Sequence, residues 1–321
     1  MHILVIQTAF IGDAILASAL LEALNEQEKV SSISLMVRKG NESLYAGHPF
    51  LKRLHVLDKS LPKFKQLSSI IKELRASEYD VVLNCQRFMT TGLITSRSKA
   101  AMKIGYDKNP MSWTFDHVIP HEIGDGRHEV DRLMDLLVPL FGKVHALPRL
   151  YPSKKDEDKA QWDGDYICMA PSSVWFTKQW PIERWVELIE ATDVEKEVLM
   201  IGAPGDVEMC DEIIARCSRD RVVNLCGELS LLQSAVLMRG AVMSYVNDSA
   251  PLHLCSAMDA PVTAIFCSTI PEFGFGPLSK HSHIAETHHD LSCRPCGLHG
   301  KSACPEGHFK CAEIAIDSMV R

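Results

Sequence analysis

Short apolar runs of strand length recur along the chain, separated by longer segments in which apolar residues return every three or four positions. In the first half the runs are His2–Ile6, Ile33–Val37, Leu54–Leu57 and Tyr79–Asn84, and the periodic segments are Asp13–Glu26, Lys63–Ala76 and His128–Leu140. In the second half the runs Tyr166–Ala170, Glu197–Ile201, Val222–Leu225, Val242–Val246 and Val262–Phe266 alternate with periodic segments at Ile182–Ala191, Asp206–Cys217, Leu231–Arg239 and Ala250–Met258. A period near two that switches to 3.6 and back predicts strands alternating with helices. Alternation at this spacing means parallel sheets wound with helices, an α/β chain of two Rossmann-like domains. Pro148, Pro152 and the charged run Lys154–Lys159 mark a linker within 147–163, which gives domains 1–150 and 151–321.

In open parallel sheets ligands bind beyond the carboxyl ends of the strands, so the loops that follow the strands carry the candidate chemistry. The apolar run ending at Val246 breaks into Asn247-Asp248-Ser249, and a helix then opens at Ala250-Pro251. Ser249 suits the N-cap and Pro251 the first turn, where a missing N–H costs nothing. Such a strand–loop–helix offers backbone N–H groups and a positive dipole end to an anion, with an ordinary capped helix as the alternative. Asp248 is expected to bond backbone N–H groups and shape the loop, because an ionised carboxylate would repel a phosphate. His253, one turn into the helix, reads as structural ahead of functional.

Three further loops join it. Thr8 to Asp13, after the first run, holds one glycine, Gly12, where a dinucleotide fingerprint needs three, so a nicotinamide enzyme is not expected. Asp13 there is a dipole-compensating first-turn carboxylate or a general base. The loop Ala170–Pro181 is rich in hydroxyls, with Ser172, Ser173 and Thr177, and carries one cation, Lys178, suited to phosphate. Leu225-Cys226-Gly227-Glu228 presents a carboxylate able to accept from ribose hydroxyls, or a plain helix-entry glutamate.

Taken in order, Ile3–Asp13, Thr177–Pro181, Asn224–Glu228 and Asn247–His253 resemble the motifs of the ADP-heptose:lipopolysaccharide heptosyltransferases (glycosyltransferase family 9), nearest to the heptosyltransferase II type. The similarity spans both domains. It implies GT-B architecture, two Rossmann-like domains facing each other across a cleft, and inverting transfer without a metal. It also implies that Asp13 is the base, that Lys178 binds the donor phosphates, that Glu228 meets the adenosine ribose, and that 248–253 cradles the diphosphate. Thr8 and Gly12 would line the cleft. Ala250 stands where the family usually has glycine, and Gln7 where a basic residue is common. Asp163-Gly164-Asp165 matches the D-x-D pattern of metal-dependent transferases but precedes a strand and reads as a turn.

Composition narrows the remaining classes. At 46% hydrophobic and 23% charged residues the chain is ordinary for a globular protein, and its net charge of −7 argues against a nucleic-acid partner. No apolar run approaches membrane-span length, and the start lacks the cationic segment of a signal peptide, so a cytoplasmic protein is expected. Seven cysteines, Cys85, Cys168, Cys210, Cys217, Cys226, Cys255 and Cys267, sit singly, as reduced thiols do. Between Met36 and Gln66 seven basic residues (Arg38, Lys39, Lys52, Arg53, Lys59, Lys63, Lys65) face two acidic ones. That stretch is a solvated face or a patch for the phosphates of a lipid A–Kdo core or an anionic inner leaflet. Within Lys63–Ala76, Phe64, Leu67, Ile70, Ile71 and Leu74 follow helical spacing and read as core.

Near the end lie Cys293-x2-Cys296-x7-Cys304-x6-Cys311, with His299 and His308 interspersed. The spacing suits a structural zinc knuckle of four thiolates, or with His308 replacing one; free thiols and disulfides are the alternatives. Catalysis itself is expected to need no cofactor. The function expected is transfer of heptose from ADP-heptose to the lipopolysaccharide inner core (a lipid A–Kdo precursor), with peripheral inner-membrane contact at most. A transferase for another nucleotide-sugar, or a binding protein without catalysis, are the competing readings.

Overall fold

The computed structural model describes residues 1–317, 319 and 320, and for Lys63 the backbone alone. The chain divides into two compact units, one from Met1 to Tyr151 and the other from Pro152 onward. Each is built on a six-stranded, fully parallel sheet.

In the first unit the strands are β1 His2–Ile6, β2 Ser32–Arg38, β3 Leu51–Leu57, β4 Val81–Asn84, β5 Met102–Tyr106 and β6 His117–Ile119, in the order β3-β2-β1-β4-β5-β6. In the second they are β7 Tyr166–Ala170, β8 Glu197–Met200, β9 Val222–Asn224, β10 Met243–Asn247, β11 Val262–Phe266 and β12 Ser282–Glu286, in the order β12-β11-β10-β7-β8-β9. Counted from each unit's own first strand, both sheets have the doubly wound 3-2-1-4-5-6 order. Ile3–Ile6, Val81–Asn84, Tyr166–Ala170 and Val262–Phe266 are buried throughout because helices cover both faces.

Strands β5, β6 and β12 are not marked by the apolar pattern. Lys103 and Gly105 interrupt β5; β6 and β12 are edges with exposed His117, Val118, Ser282 and His283. Two long helical segments are also divided. Asp13–Glu26 becomes Ile11–Leu16 and Ser18–Asn25, jointed at Ala17. His128–Leu140 becomes Glu129–Asp135 and Val138–Phe141, the second starting with Pro139 in its first turn. The charged run forms its own helix, Lys154–Lys159, with Ser153 and Asp156 in a reciprocal capping box.

The order fixes which loops meet. β7 and β10 are neighbours at the point where the strand order reverses, and β10 also pairs with β11. The loops after β7, β10 and β11 therefore converge at one carboxyl edge, while the loop after β9 opens two strands away.

Candidate functional site

In the first unit the loop after β1 is tied from several sides. The Gln7 side-chain oxygen accepts from the Ala9 N–H at 3.2 Å and from the Gln86 amide; Asn41 donates to the Ala9 carbonyl at 3.1 Å. Lys59 donates to the Thr8 carbonyl at 2.8 Å. Gln7 is thus a buried brace of the loop. Asp13 lies in the first turn of Ile11–Leu16, whose N-cap, Phe10, has no side chain able to cap. Its carboxyl is pushed up to about 6, first by burial and then by the charge of Glu129, while backbone hydrogen bonds at Asp13 and Phe10 and the charge of Arg87 pull it down. Glu129 stays ionised: burial raises it, but His121 and Arg132 outweigh burial, with Arg132 Nε at 2.8 Å and His121 Nε2 at 3.5 Å. A carboxyl poised near neutrality suits a general base. Neither Glu129 nor Arg87 is marked by any motif; only the folded helix Glu129–Asp135 brings that charge to Asp13.

The basic stretch is divided between the two ends of this sheet. Lys52 and Arg53, at the start of β3, line a hollow with His2, Ser32 and Tyr79 at the amino ends of the strands. Arg38, Lys39 and Lys59 lie at the carboxyl ends, beside the Asp13 loop. Arg38 lies 5.2 Å above the exposed Phe10 ring, but Lys39 is paired with Asp58 at 2.8 Å. The Lys63 side chain lies outside the described residues. Phe64 does not enter the core; it is 89% exposed, whereas Ile70 and Leu74 are buried as the spacing predicts.

In the second unit the β7 and β10 loops meet at a charge pair. Lys178 Nζ lies 2.6 Å from Asp248 Oδ2, and the Thr269 hydroxyl, from the β11 loop, donates to the same carboxylate at 2.6 Å. Asp248 was expected to bond backbone N–H groups; its carboxylate instead takes a cation and a hydroxyl. The β7–β10 pairing supplies the cation and the β10–β11 pairing the hydroxyl. Asn247 does the bracing between loops: it donates to the Pro171 carbonyl at 2.6 Å and accepts from the Trp180 N–H at 3.2 Å.

Ser249 occupies the N-cap of Ala250–Met258, yet its buried hydroxyl has no hydrogen-bond partner among the described residues. Leu252 N–H returns to the Ser249 carbonyl at 3.1 Å, and Pro251 has no N–H. Among the described residues the N–H groups of Ser249 and Ala250 meet no acceptor, which leaves them as orphan donors at the start of this helix. His253 is buried in that helix, its ring edge-on to Phe275 at 6.4 Å.

Ser172 donates to Asp206 at 2.9 Å, and the Ser173 carbonyl accepts from Gln179 at 2.6 Å, so both shape the β7 loop. Thr177 is fully buried and accepts from Ser268 at 2.9 Å. Glu228, after β9, is exposed and borders a hollow of about 320 Å³ with Lys159, Gln161, Trp162 and Leu225. The structure brings Lys178, Thr177, Asp248, Ser249 and Ala250 together and leaves Glu228 apart, along the same edge. Thr269 and Ser268 are site residues the motifs do not reveal, since each is one hydroxyl in a loop. Gly164 holds the Asp163-Gly164-Asp165 bend at φ +81°, at the amino end of β7 and away from these loops.

Comparison with known proteins identifies the family and the fold. Residues 67–304 match the family model Glycosyltransferase family 9 (heptosyltransferase). The lipopolysaccharide heptosyltransferase 3 of Escherichia coli K12 is 24% identical over 279 residues, 80% of each chain. Among solved structures, a glycosyltransferase family 9 protein of Veillonella parvula aligns with TM-score 0.80 at 21% identity, over 89% of this chain and 86% of that one. The E. coli ADP-heptose lipopolysaccharide heptosyltransferase II aligns with TM-score 0.76 at 19% identity over 97% of both chains. The fold is therefore that of the GT-B heptosyltransferases.

Proposed function

The chain belongs to glycosyltransferase family 9, the heptosyltransferases, and is a glycosyltransferase; we propose that it moves heptose from ADP-heptose to a lipopolysaccharide inner-core acceptor, with inversion and without a metal. The observation that carries the reading is Asp13, a crowded first-turn carboxyl raised to about 6 in a loop braced by Gln7, Asn41 and Lys59. A protein that only bound nucleotide-sugar would have no use for it.

In the proposed reaction Asp13 takes the proton of the acceptor hydroxyl as that oxygen attacks C1 of the heptose. The C1–O bond to the diphosphate breaks through an oxocarbenium-like state, and ADP leaves with the added negative charge. Lys178 is held ready by Asp248 and Thr269 and turns to the diphosphate when donor binds. The N–H groups of Ser249 and Ala250 supply further fixed donors where charge develops, which is the work a metal would otherwise do. Glu228 accepts from the ribose hydroxyls. Arg38 and Lys59, at the same loop edge as Asp13, attract the anionic core of a lipid A–Kdo acceptor. The described residues contain no helix long and apolar enough to cross a membrane. We read the working location as the cytoplasm, with peripheral contact at the inner-membrane face.

The test is release of ADP from ADP-heptose with deep-rough lipopolysaccharide acceptors of defined length, for the native chain and Asp13→Ala. The native chain should turn over and the variant should bind ADP without transfer. Undiminished transfer by the variant would remove Asp13 from the role of base. Turnover with another nucleotide-sugar but not ADP-heptose would move the enzyme to a different donor.

A further inference from the structure

We propose that Cys293, Cys296, Cys304 and Cys311 hold one zinc ion through four thiolates, and that the resulting knuckle keeps Lys178 in place; this second part rests on the donor-site reading above. All four residues carry free thiols and line a single hollow of about 230 Å³, together with His308 and Lys301. Among the described residues no three ligand groups yet converge as closely as an ion requires. The four thiols line the hollow, and on this proposal they would have to move inward to close on the ion.

The chemistry of the donor set fits. Four sulfurs lining one small hollow suit a tetrahedral, thiophilic ion. His308 is excluded as a ligand by its own partners. Its Nδ1 accepts the Lys310 N–H at 3.0 Å, so the neutral ring carries its proton on Nε2, which lies 3.8 Å from the Cys293 sulfur. It therefore donates toward that sulfur, as outer partners of metal thiolates do. Lys301, on the rim, offsets part of the negative charge that four thiolates bring. Between Cys293 and Phe309 the chain forms no helix or strand, and the only element up to Cys311 is the single turn Lys310–Ala312. The ends of this segment are anchored, since Cys311 packs in the core of the second unit and Arg294 donates to the Cys267 and Thr269 carbonyls at 2.8 Å each, and a four-thiolate cross-link would tie the irregular turn between them.

The same segment is laced to the donor loops. Lys301 N–H donates to Thr177 Oγ1 at 2.8 Å, and Thr177 N–H donates back to the Lys301 carbonyl at 3.1 Å. Cys296 N–H donates to the Ser268 carbonyl at 2.8 Å, and Phe309 stacks on Phe176 at 5.4 Å. Gly300, at φ +78°, lies so close that a Cβ there would come within 2.9 Å of Lys178 Cγ and 3.0 Å of Thr177 Oγ1. Thr177 and the Lys178 stem are thus clamped between the β11 loop and the turn that joins the two cysteine pairs. An ordered turn holds the ammonium at the phosphate position; a loosened one releases it.

The full chain, purified without chelator or added metal, should contain about one zinc per chain, with X-ray absorption giving four sulfur ligands at about 2.3 Å. Less than about a tenth of an equivalent of metal, iron in place of zinc, or a nitrogen ligand lost in His308→Ala would overturn the assignment. Calorimetric ADP affinity should fall roughly tenfold or more when a chelator strips the ion, with far-UV circular dichroism retained, and return on adding zinc. Gly300→Ala should weaken ADP similarly with zinc still bound. Equal ADP affinity with and without metal, or an unaffected Gly300→Ala, would overturn the coupling. A zinc-loaded chain that binds no ADP would instead refute the donor-site reading and leave the metal site standing on its own analysis.

Discussion

Asp13 is where burial and charge oppose each other most directly. Its folded-state pKa, about 6 against 3.8 for a free aspartate, means that folding favours the protonated carboxyl. Below about pH 4 both states are protonated and the group costs nothing; the penalty grows as pH rises to about 6 and is constant above. Two units correspond to a ceiling of about 3 kcal/mol. Asp13→Asn should therefore stabilise the protein by about 1–3 kcal/mol at pH 8 and hardly at all at pH 4, read from urea unfolding. The same variant should lose transfer by roughly a thousandfold or more. In the native chain kcat/KM should fall about tenfold per pH unit below pH 6, where the base is lost. A rate that stays flat down to pH 5 would mean that another group takes the proton. Lys178 belongs to the same scale. Removing its charge in Lys178→Met should weaken ADP by about 1.5–3 kcal/mol, roughly ten- to a hundredfold by calorimetry, the worth of a charge-assisted hydrogen bond.

At the scale of elements, what the sequence reveals depends on burial. The apolar pattern marks β1, β7 and β11 to the residue, because both faces of each are covered and all their side chains except His2 are buried. It misses β5, β6 and β12, where Lys103, His117 and Ser282 face water or a sheet edge. The candidate site divides the same way. Lys178, Asp248 and Glu228 stand out because charged residues in post-strand loops are conspicuous. Thr269 does not, because its role comes from the β10–β11 pairing that sets its hydroxyl 2.6 Å from Asp248. The wrong expectation for Asp248 has the same origin: local rules give an aspartate before a helix backbone partners, and the neighbouring strand supplied a lysine instead. Thr269→Val tests this. It removes one donor from a buried carboxylate, so it should destabilise the protein by about 1–3 kcal/mol and weaken ADP several-fold, with kcat less affected. Unchanged ADP affinity would mean that Lys178 needs no such support.

For the whole molecule, the two sheets share one winding order but carry different loop chemistry. The first has a raised carboxyl with Arg38 and Lys59 beside it; the second has a lysine, free helix N–H groups and a distant glutamate. A ligand that binds only folded protein stabilises it by RT ln(1 + [L]/Kd), about 2.7 kcal/mol at a hundredfold excess over Kd. Because each set of loops belongs to its own unit, that gain should first slow amide exchange in the unit that holds the ligand. ADP should protect 171–180, 225–228 and 248–253, and through Thr177 and Lys301 the turn at 297–301. It should leave 8–13 exchanging as before. A phosphorylated Kdo-type acceptor should do the reverse, protecting 8–13 and 38–41, and its effect should shrink with salt because Arg38 and Lys59 act at long range. Protection of 8–13 by ADP alone would assign the nucleotide to the wrong sheet and, with it, the direction in which the proton and the sugar travel.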